Sequence, residues 1–414
     1  MGQWIEIVVG DYADVLPGYA FDSTYFADKS KGIPLIRIRD LKKNETEINF
    51  GGKFASRYLV KKKDILIGMD GDFHVARWNG QTALLNQRVC KVAARTGLDN
   101  GLLYYFLIGE LWKIQNQTTG TTVKHLSNGD VAEIRLKIPK NNQEQFTIAT
   151  ILTTIDQAIE KTEELIAKYE RIKTGLMQDL LTRGIDEQGN IRSEETHEFK
   201  DSVLGRIPKE WEVERLGNLC DIKGRIGWQG YTVDDLDDEG ALVLGATHIS
   251  KKHELDLSKP VFLKWRKYWD APEIHVKKGN IVLVKTGNTI GKTVLITEDI
   301  GCTTINPNTV ILRNFNIDNR FLYLLMTTKY FQTALWDFVL IGAQPSVNQS
   351  NIKSILIPCP MQHEIEQITV LWDNLYSTIQ NERNNLRNLE TMKTGLMQDL
   401  LTGKLRVDSL IERL

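Results

Sequence analysis

At 414 residues the chain is too long for one ordinary domain and suits two to four. Hydrophobic residues make up 42%, enough to build cores, and a formal net charge of -1 excludes a chain that is basic throughout. Global charge averages over faces, so local clusters carry more information.

The four cysteines, Cys90, Cys220, Cys302 and Cys359, are far apart and form no CxxC pair. That argues against a disulfide scaffold or a structural zinc site. No uninterrupted apolar stretch approaches membrane length, and the opening MGQWIEIVVGDYAD lacks the basic start and long apolar run of a signal peptide. The expectation is a soluble cytoplasmic protein with no membrane partner.

The first region, residues 1–142, carries short β-like runs at Pro34–Ile38 and Asp64–Ile67, glycine-rich and polar loops, and a short helix around Leu102–Ile114. After Ile138-Pro139 the texture changes. Over 143–182 the apolar positions Ile148, Ile151, Ile155, Ile159, Ile166, Tyr169, Ile172, Leu176 and Leu180 fall mostly at steps of three and four, skipping polar Thr162. This spacing predicts a long helix packed along a second long helix.

A linker follows at 183–204, then a second mixed region at 205–360. Its β-like runs are Ala241–Leu244, Asn280–Val284 and Thr309–Leu312, with a helix predicted at Asn319–Leu335. The segment 361–402 repeats the helical seam through Ile368, Leu371, Leu375, Ile379, Leu386, Leu389, Met392, Leu396 and Leu400, with Glu382 at the polar gap, and 403–414 form a tail. A helix of roughly 38 residues spans roughly 57 Å at 1.5 Å per residue.

The ten residues Lys173–Thr182, KTGLMQDLLT, recur unchanged at Lys393–Thr402, 220 positions further along. Weaker echoes tie the mixed regions together: Asp64–Gly71 with Asn280–Gly287, Leu85-Asn86-Gln87 with Ile305-Asn306-Pro307, and Ile138-Pro139 with Ile357-Pro358. A duplicated unit of domain followed by helix is the reading. Gly175 and Gly395 sit inside the helical patterns, where glycine costs about 1 kcal/mol against alanine; a close contact or bending point is expected there.

Positive signs of catalysis are missing. Gly287–Thr293 has three residues between its glycine and the Gly291-Lys292 pair, where a phosphate-binding loop needs four. Asn306-Pro307-Asn308 is not the Asn-Pro-Pro-aromatic arrangement of amino methyltransferases, and no GxGxxG opens a βαβ unit. The seven histidines form no metal-hydrolase motif, and no serine or cysteine has the context of an activated nucleophile.

With the repeat and the long helices in place, the chain resembles the specificity subunit of a type I restriction-modification system over nearly its whole length. The most specific parts are the two KTGLMQDLLT helix ends, Gly205–Trp211 (GRIPKEW) leading into the second region, and the Ile-Pro segments before both long helices. The first copy lacks the Gly-x-Ile-Pro lead-in, and only Trp4 matches Trp211. The resemblance implies an α+β fold: two mixed target-recognition domains separated by two long conserved helices in an antiparallel coiled coil, with an internal pseudo-twofold repeat. Each domain is then expected to read one half of a bipartite, asymmetric duplex DNA site. The helices would set the unread spacer.

The implied partners are that DNA, two methyltransferase subunits, and restriction subunits in the full complex. The chain itself is non-catalytic and holds no cofactor or metal; S-adenosylmethionine, ATP and magnesium belong to the partner subunits. The rival class is a two-headed protein scaffold organised by a coiled coil, without sequence-specific DNA binding.

Electrostatic candidates for DNA contact in the first domain are Arg37, Arg39, Lys42, Lys43, Arg57, Lys61, Lys62, Arg77 and Arg88. In the second they are Lys223, Arg225, Lys251, Lys252, Lys264, Arg266, Lys267, Lys285 and Lys292. Most of these would hold phosphate, which gives affinity without sequence choice. Fork-shaped or amide donors near glycine-rich loops are the base-reading candidates: Arg77, Asn79 and Gln81 in one domain, Arg225, Gln229 and Asn288 in the other. Trp78, Trp228, Tyr231, Trp265, Tyr268 and Trp269 lie beside basic or glycine-rich segments, either as core or against the sugars.

Overall fold

In the computed structural model, residues 3–28, 31–117, 125–225, 230–340, 342 and 344–407 are described. Two compact units emerge: residues 1–165 with 382–414, and residues 166–381. The division differs from the order along the chain, because each unit takes one mixed domain and part of both long helices. Those helices run Asn142–Thr182 and Gln362–Leu401, within a residue or two of the predicted spans.

In the first unit, Trp4–Val8 pairs antiparallel with Arg135–Pro139. A four-stranded sheet has the order Ala13–Pro17, Val89–Ala94, Ile65–Gly68, Val75–Arg77, and a five-stranded one the order Phe26–Ala27, Asn49–Phe50, Ile33–Ile36, Ala83–Leu85, Leu59–Val60. Among the described residues, one pairing between these strands is parallel, Leu35 with Leu84 and Ile36 with Leu85.

The second unit repeats this plan strand for strand. Glu212–Arg215 pairs with Leu356–Cys359. The four-stranded order is Asp221–Gly224, Thr309–Arg313, Ile281–Val284, Thr293–Leu295, and the five-stranded order Leu236–Asp237, Phe262–Leu263, Ala241–Leu244, Thr303–Ile305, His275–Val276. The parallel pairing sits at the same place, Leu244 against Ile305.

Small local devices recur with different side chains. The turn before the central strand is closed by Asp64 Oδ2 accepting from Lys61 N (2.9 Å) in one unit, and by Asn280 Oδ1 accepting from Lys277 N (2.8 Å) in the other. The left-handed position in that turn is Gly279 in the second unit, where a missing Cβ makes it inexpensive, but Lys63 in the first.

Each core extends onto its share of the long helices. Leu102, Leu107 and Ile138 pack with Ile148, Leu152, Leu400 and Val407 in the first unit. In the second, Phe321 and Phe331 pack with Met177, Leu180, Ile365 and Ile368. Within each unit the helices run antiparallel: Glu144 meets Arg406 and Asp156 meets Lys393 in the first, and Lys173 meets Trp372 and Ile185 meets Glu364 in the second.

Both units also build one buried polar node at a helix start. Glu144 accepts from Arg406 (2.8 and 3.0 Å) and Trp4 Nε1 (3.4 Å). Glu364 accepts from Arg192 (2.5 and 3.2 Å), Trp211 Nε1 (3.1 Å) and the Ile185 amide (2.9 Å). The equivalence of Trp4 and Trp211 is therefore structural.

Several expectations need correction. The strand predicted at Pro34–Ile38 ends at Ile36, because the Asp40 carboxylate accepts from Arg37 N and folds Ile38–Asp40 into a 3-10 turn. The helix predicted at Asn319–Leu335 is two helices, Asn319–Met326 and Lys329–Trp336, with the Thr328 hydroxyl capping the second. The linker at 183–204 supplies the buried Arg192 and the strand Phe199–Ser202, which pairs with Gly205–Pro208.

Gly175 and Gly395 are not close-contact points. Beyond the chain neighbours and the backbone of the same helical turns, nothing lies within 4 Å of where a Cβ would stand at either. The helical seam is also only partly covered: Ile155 and Ile379 are buried, whereas Ile172, Leu371 and Met392 are exposed.

Candidate nucleic-acid interface

In the first unit three loops leave the sheets at one end and line a common cleft of about 610 Å3. Arg37, Ile38, Arg39 and Lys42 come from the loop after the parallel strand, Asp72 and His74 from the hairpin loop, and Asn86, Gln87 and Arg88 from the loop between the two sheets. Four of the predicted basic residues thus meet in one place.

Each of these cations has a carboxylate nearby. Arg37 pairs with Asp40 (3.4 Å) and Glu47 (2.6 Å), Arg39 reaches Glu47 at 3.8 Å, Lys42 reaches Asp72 at 3.5 Å, and Arg88 contacts Asp70. The Arg37 hydrogen bond holds the Glu47 carboxyl below its ordinary range. At Asp70, burial pulls upward, but hydrogen bonds from His125 and Arg88 outweigh it and keep the group low.

Exposed ion pairs are worth about 0–1 kcal/mol. A phosphate can therefore take over Arg39, Lys42 or Arg88 at little cost.

Ile38, Asp72, His74, Asn86 and Gln87 line this cleft without having been selected from the sequence, and two of them carry a distinctive environment. His74 is half-buried, and burial together with Lys42 lowers its pKa, so it stays neutral near pH 7. Asn86 is buried and its Oδ1 has no hydrogen-bond partner. At the matching Asn306 the Oδ1 accepts from Asn308 N (3.0 Å) and Thr309 Oγ1 (3.2 Å). The Leu85-Asn86 and Ile305-Asn306 echo was the signal that could have singled out Asn86.

The remaining first-domain candidates scatter. Lys43, Lys61 and Lys62 are exposed, Arg57 lies over the Tyr58 ring (4.8 Å), and Asn79 and Gln81 are exposed around the buried Trp78, whose indole donates to the Gln81 carbonyl (2.7 Å). Arg77 departs from its expected base-reading role. Its fork is occupied by Thr153 Oγ1 (3.2 Å) and the Gly101 carbonyl (3.0 Å).

In the second unit the corresponding loops converge in the same way. Gly245 closes against Asn306, and a Cβ there would run into that side chain. Lys285 N donates to the Asn308 carbonyl (2.8 Å). The Lys285 side chain is half-buried, and burial lowers its pKa. Asn288, Lys251, Lys252 and Lys223 are exposed.

Gly287–Lys292 lies in a hairpin loop joining two antiparallel strands, with Gly287 and Gly291 both at φ +94°, and the strand Thr293–Leu295 rather than a helix follows it. Lys292 is turned inward, donating to the carbonyls of Ile249 (2.7 Å) and Ala246 (3.3 Å). Arg225 is buried and donates to the Ile305 carbonyl (3.1 Å) and Thr304 Oγ1 (3.0 Å), with its guanidinium over Tyr231 (5.2 Å). Both were expected to meet DNA, and both serve the domain's interior.

Lys264 and Lys267 donate to the backbone carbonyls of Asp234 (2.7 Å) and Gly230 (3.2 Å), beside exposed Arg266, Trp265 and Trp269. Tyr268 is buried, stacked on His275 at 3.7 Å. Gln229 and Trp228 lie outside the described residues.

Among the described residues no group of three or more His, Cys, Asp or Glu could hold a metal ion, and no helix is long and apolar enough to cross a membrane.

Comparison with known proteins gives a consistent picture. A family model described as type I restriction modification DNA specificity domain matches residues 1–171 and 208–391. The type I restriction enzyme EcoBI specificity subunit of Escherichia coli is 26% identical over 431 residues, covering 98% of this chain and 88% of the relative. The MjaVIII specificity subunit of Methanocaldococcus jannaschii is 26% identical over 358 residues, covering 85% and 81%. The crystal structure of a type I restriction-modification S subunit from M. genitalium shares the fold with a TM-score of 0.62 at 15% identity, covering 96% of each chain.

Proposed function

The chain belongs to the type I restriction-modification specificity-subunit family, whose members are non-catalytic, and from that membership we propose that each of its two mixed domains reads one half of a bipartite, asymmetric duplex DNA site. In this reading the chain directs adenine-N6 methylation, and restriction where a restriction subunit is present, by partner subunits that carry the chemistry. The identical decapeptides at 173–182 and 393–402 offer two methyltransferase subunits equivalent docking surfaces.

One observation carries the proposal. Two domains with the same strand order present the same loops at the same end, yet those loops bear unlike side chains. Arg37 stands where the other domain has Gly245, Asp40 where it has His248, and Asn86 lacks the partners that Asn306 has. Like frames with unlike edges suit two different half-sites. Arg39, Lys42, Lys43 and Arg88 in the first domain, and Lys223, Lys251, Lys252 and Lys285 in the second, are the phosphate contacts of this reading. Asn79, Gln81 and Asn288 remain candidates for base edges.

The test is single-molecule methylome sequencing of cells expressing a partner methyltransferase with and without this chain. N6-methyladenine in one split, asymmetric motif only when the chain is present is the expected result. No new methylation despite a stable complex with an active methyltransferase would favour the protein-only scaffold instead.

A further inference from the structure

We propose that Arg77 is a positioning residue: with Tyr105, Asp156 and Lys393 it fixes the pose of the first recognition domain on its stretch of the two long helices, and thereby the strictness with which one spacer is accepted. This rests on the reading of a split DNA site given above.

Arg77 closes the edge strand Val75–Arg77 of the four-stranded sheet. Its guanidinium donates to Thr153 on the first long helix and to the Gly101 carbonyl on the helix Asn100–Gln117, and lies 4.3 Å from the Tyr104 ring centroid and 5.1 Å from that of Tyr105. Tyr105 is fully buried; its hydroxyl donates to Asp156 Oδ2 (2.7 Å) and lies 3.2 Å from Thr153 Oγ1. Burial, with Asp156 accepting, raises the Tyr105 pKa and keeps the phenol a donor. The other Asp156 oxygen takes Lys393 Nζ of the second long helix at 2.7 Å.

The Asp156 carboxylate thus joins a domain helix to both long helices, and Arg77 ties the sheet edge to the same joint through Thr153 and Gly101. Apolar packing alone tolerates small sliding, whereas a fork held at two acceptors and a carboxylate filled on both oxygens has one geometry.

The second unit also joins a domain helix to a long helix, from other positions. Leu295 ends the strand that matches Val75–Arg77, pairing with Ile281 as Arg77 pairs with Ile65. The repeat partners of Thr153 and Asp156 are Asp373 and Tyr376. Here the arginine is Arg320, on the helix Asn319–Met326, bridging Asp318 (2.6 Å) and Asp373 on the long helix. Both the arginine and the carboxylate have moved, and the joint between domain and helix remains. What the two copies share is a polar joint between a domain helix and a long helix, and not a side chain inherited at one position.

The test uses the complete methyltransferase complex in cells, with the methylome as readout and thermal unfolding alongside. Variants are Arg77→Lys, which keeps the charge and loses the fork, Arg77→Leu, the residue found at 295, and Lys393→Met, at the half-exposed end of the joint. The expected result is unchanged half-site sequences with at least threefold more methylation at motifs whose spacer is one base pair longer or shorter, strongest for Arg77→Leu.

A spacer as strict as in the unaltered chain, with only a lowered unfolding temperature, would overturn the proposal and leave Arg77 a fold-stabilising residue. If Arg77→Leu does not accumulate folded, Lys393→Met decides by the same criterion. If the unaltered chain directs no split motif at all, the functional reading itself fails, and the positioning role with it.

Discussion

Replacing Glu364 by glutamine is the sharpest test of how the second unit is held together. The carboxylate is 1% exposed and accepts from both Arg192 terminal nitrogens, from the Trp211 indole and from the Ile185 amide. Glutamine keeps one acceptor oxygen but leaves the Arg192 charge, itself 8% exposed, with the Arg183 carbonyl at 3.5 Å and, among the described residues, Glu210 at 4.0 Å as its one remaining carboxylate. Removing one partner of a buried pair costs about 3–5 kcal/mol. For a unit of this size each kcal/mol is about 2–4 °C, so the unfolding temperature of that unit should fall by roughly 6–20 °C.

Glu144→Gln is the internal control, because Arg406 is 28% exposed and water screens the charge left behind; about 1–2 kcal/mol is expected there. Differential scanning calorimetry on the two variants and on Glu364→Gln/Arg192→Met measures the difference. The double variant should be more stable than Glu364→Gln alone, since no unpaired buried charge remains. A shift below about 2 °C for Glu364→Gln, or equal losses at both nodes, would refute the argument from burial.

Substituting Arg39, Lys42 or Arg88 singly by alanine should reduce the slope of log affinity against log salt by about 0.9 each, measured by duplex-binding titrations of the methyltransferase complex; an unchanged slope at all three would remove this cleft from the DNA-contacting surface. Acid should weaken both units before the carboxylates titrate. Burial lowers the pKa of His74 and of His253, aided by Lys42 and Lys292 respectively, so below about pH 6.5 the unfolded chain takes up protons that the fold does not. Stability is then fully present above the unfolded histidine pKa and declines as pH falls towards the folded values. Urea titrations at pH 7.5 and 5.5 should show that loss in the unaltered chain and a smaller one in His253→Gln.

Native thiol labelling at neutral pH should modify Cys302 alone among the four cysteines. Burial pushes Cys90 and Cys220 up to about 12 and Cys359 to about 11, while Cys302 is exposed. Rapid labelling of two or more sites would contradict the packing around Cys90 and Cys220.

The duplication, both long helices to within a residue or two, five of the strands and the family were legible in the sequence, whereas Val89–Ala94, at the centre of the first four-stranded sheet, was not. These depend on local periodicity and on identical segments, which a linear reading detects directly: Ile148 to Leu180 repeat at helical spacing whatever they pack against. The matching strand order of the two mixed domains was visible only at anchors such as Asn86 and Asn306, because loops diverge while frames persist.

Tertiary structure alone decided which cations face outward. Arg39 and Lys251 stay exposed, but Arg77 is tied to Thr153, Arg225 to Ile305 and Arg192 to Glu364, each across a long separation in the chain. A charged side chain reads the same in sequence whether it meets water, a phosphate or a buried carboxylate. Its partner is set by how distant segments pack, and that packing distinguishes a DNA contact from a structural joint.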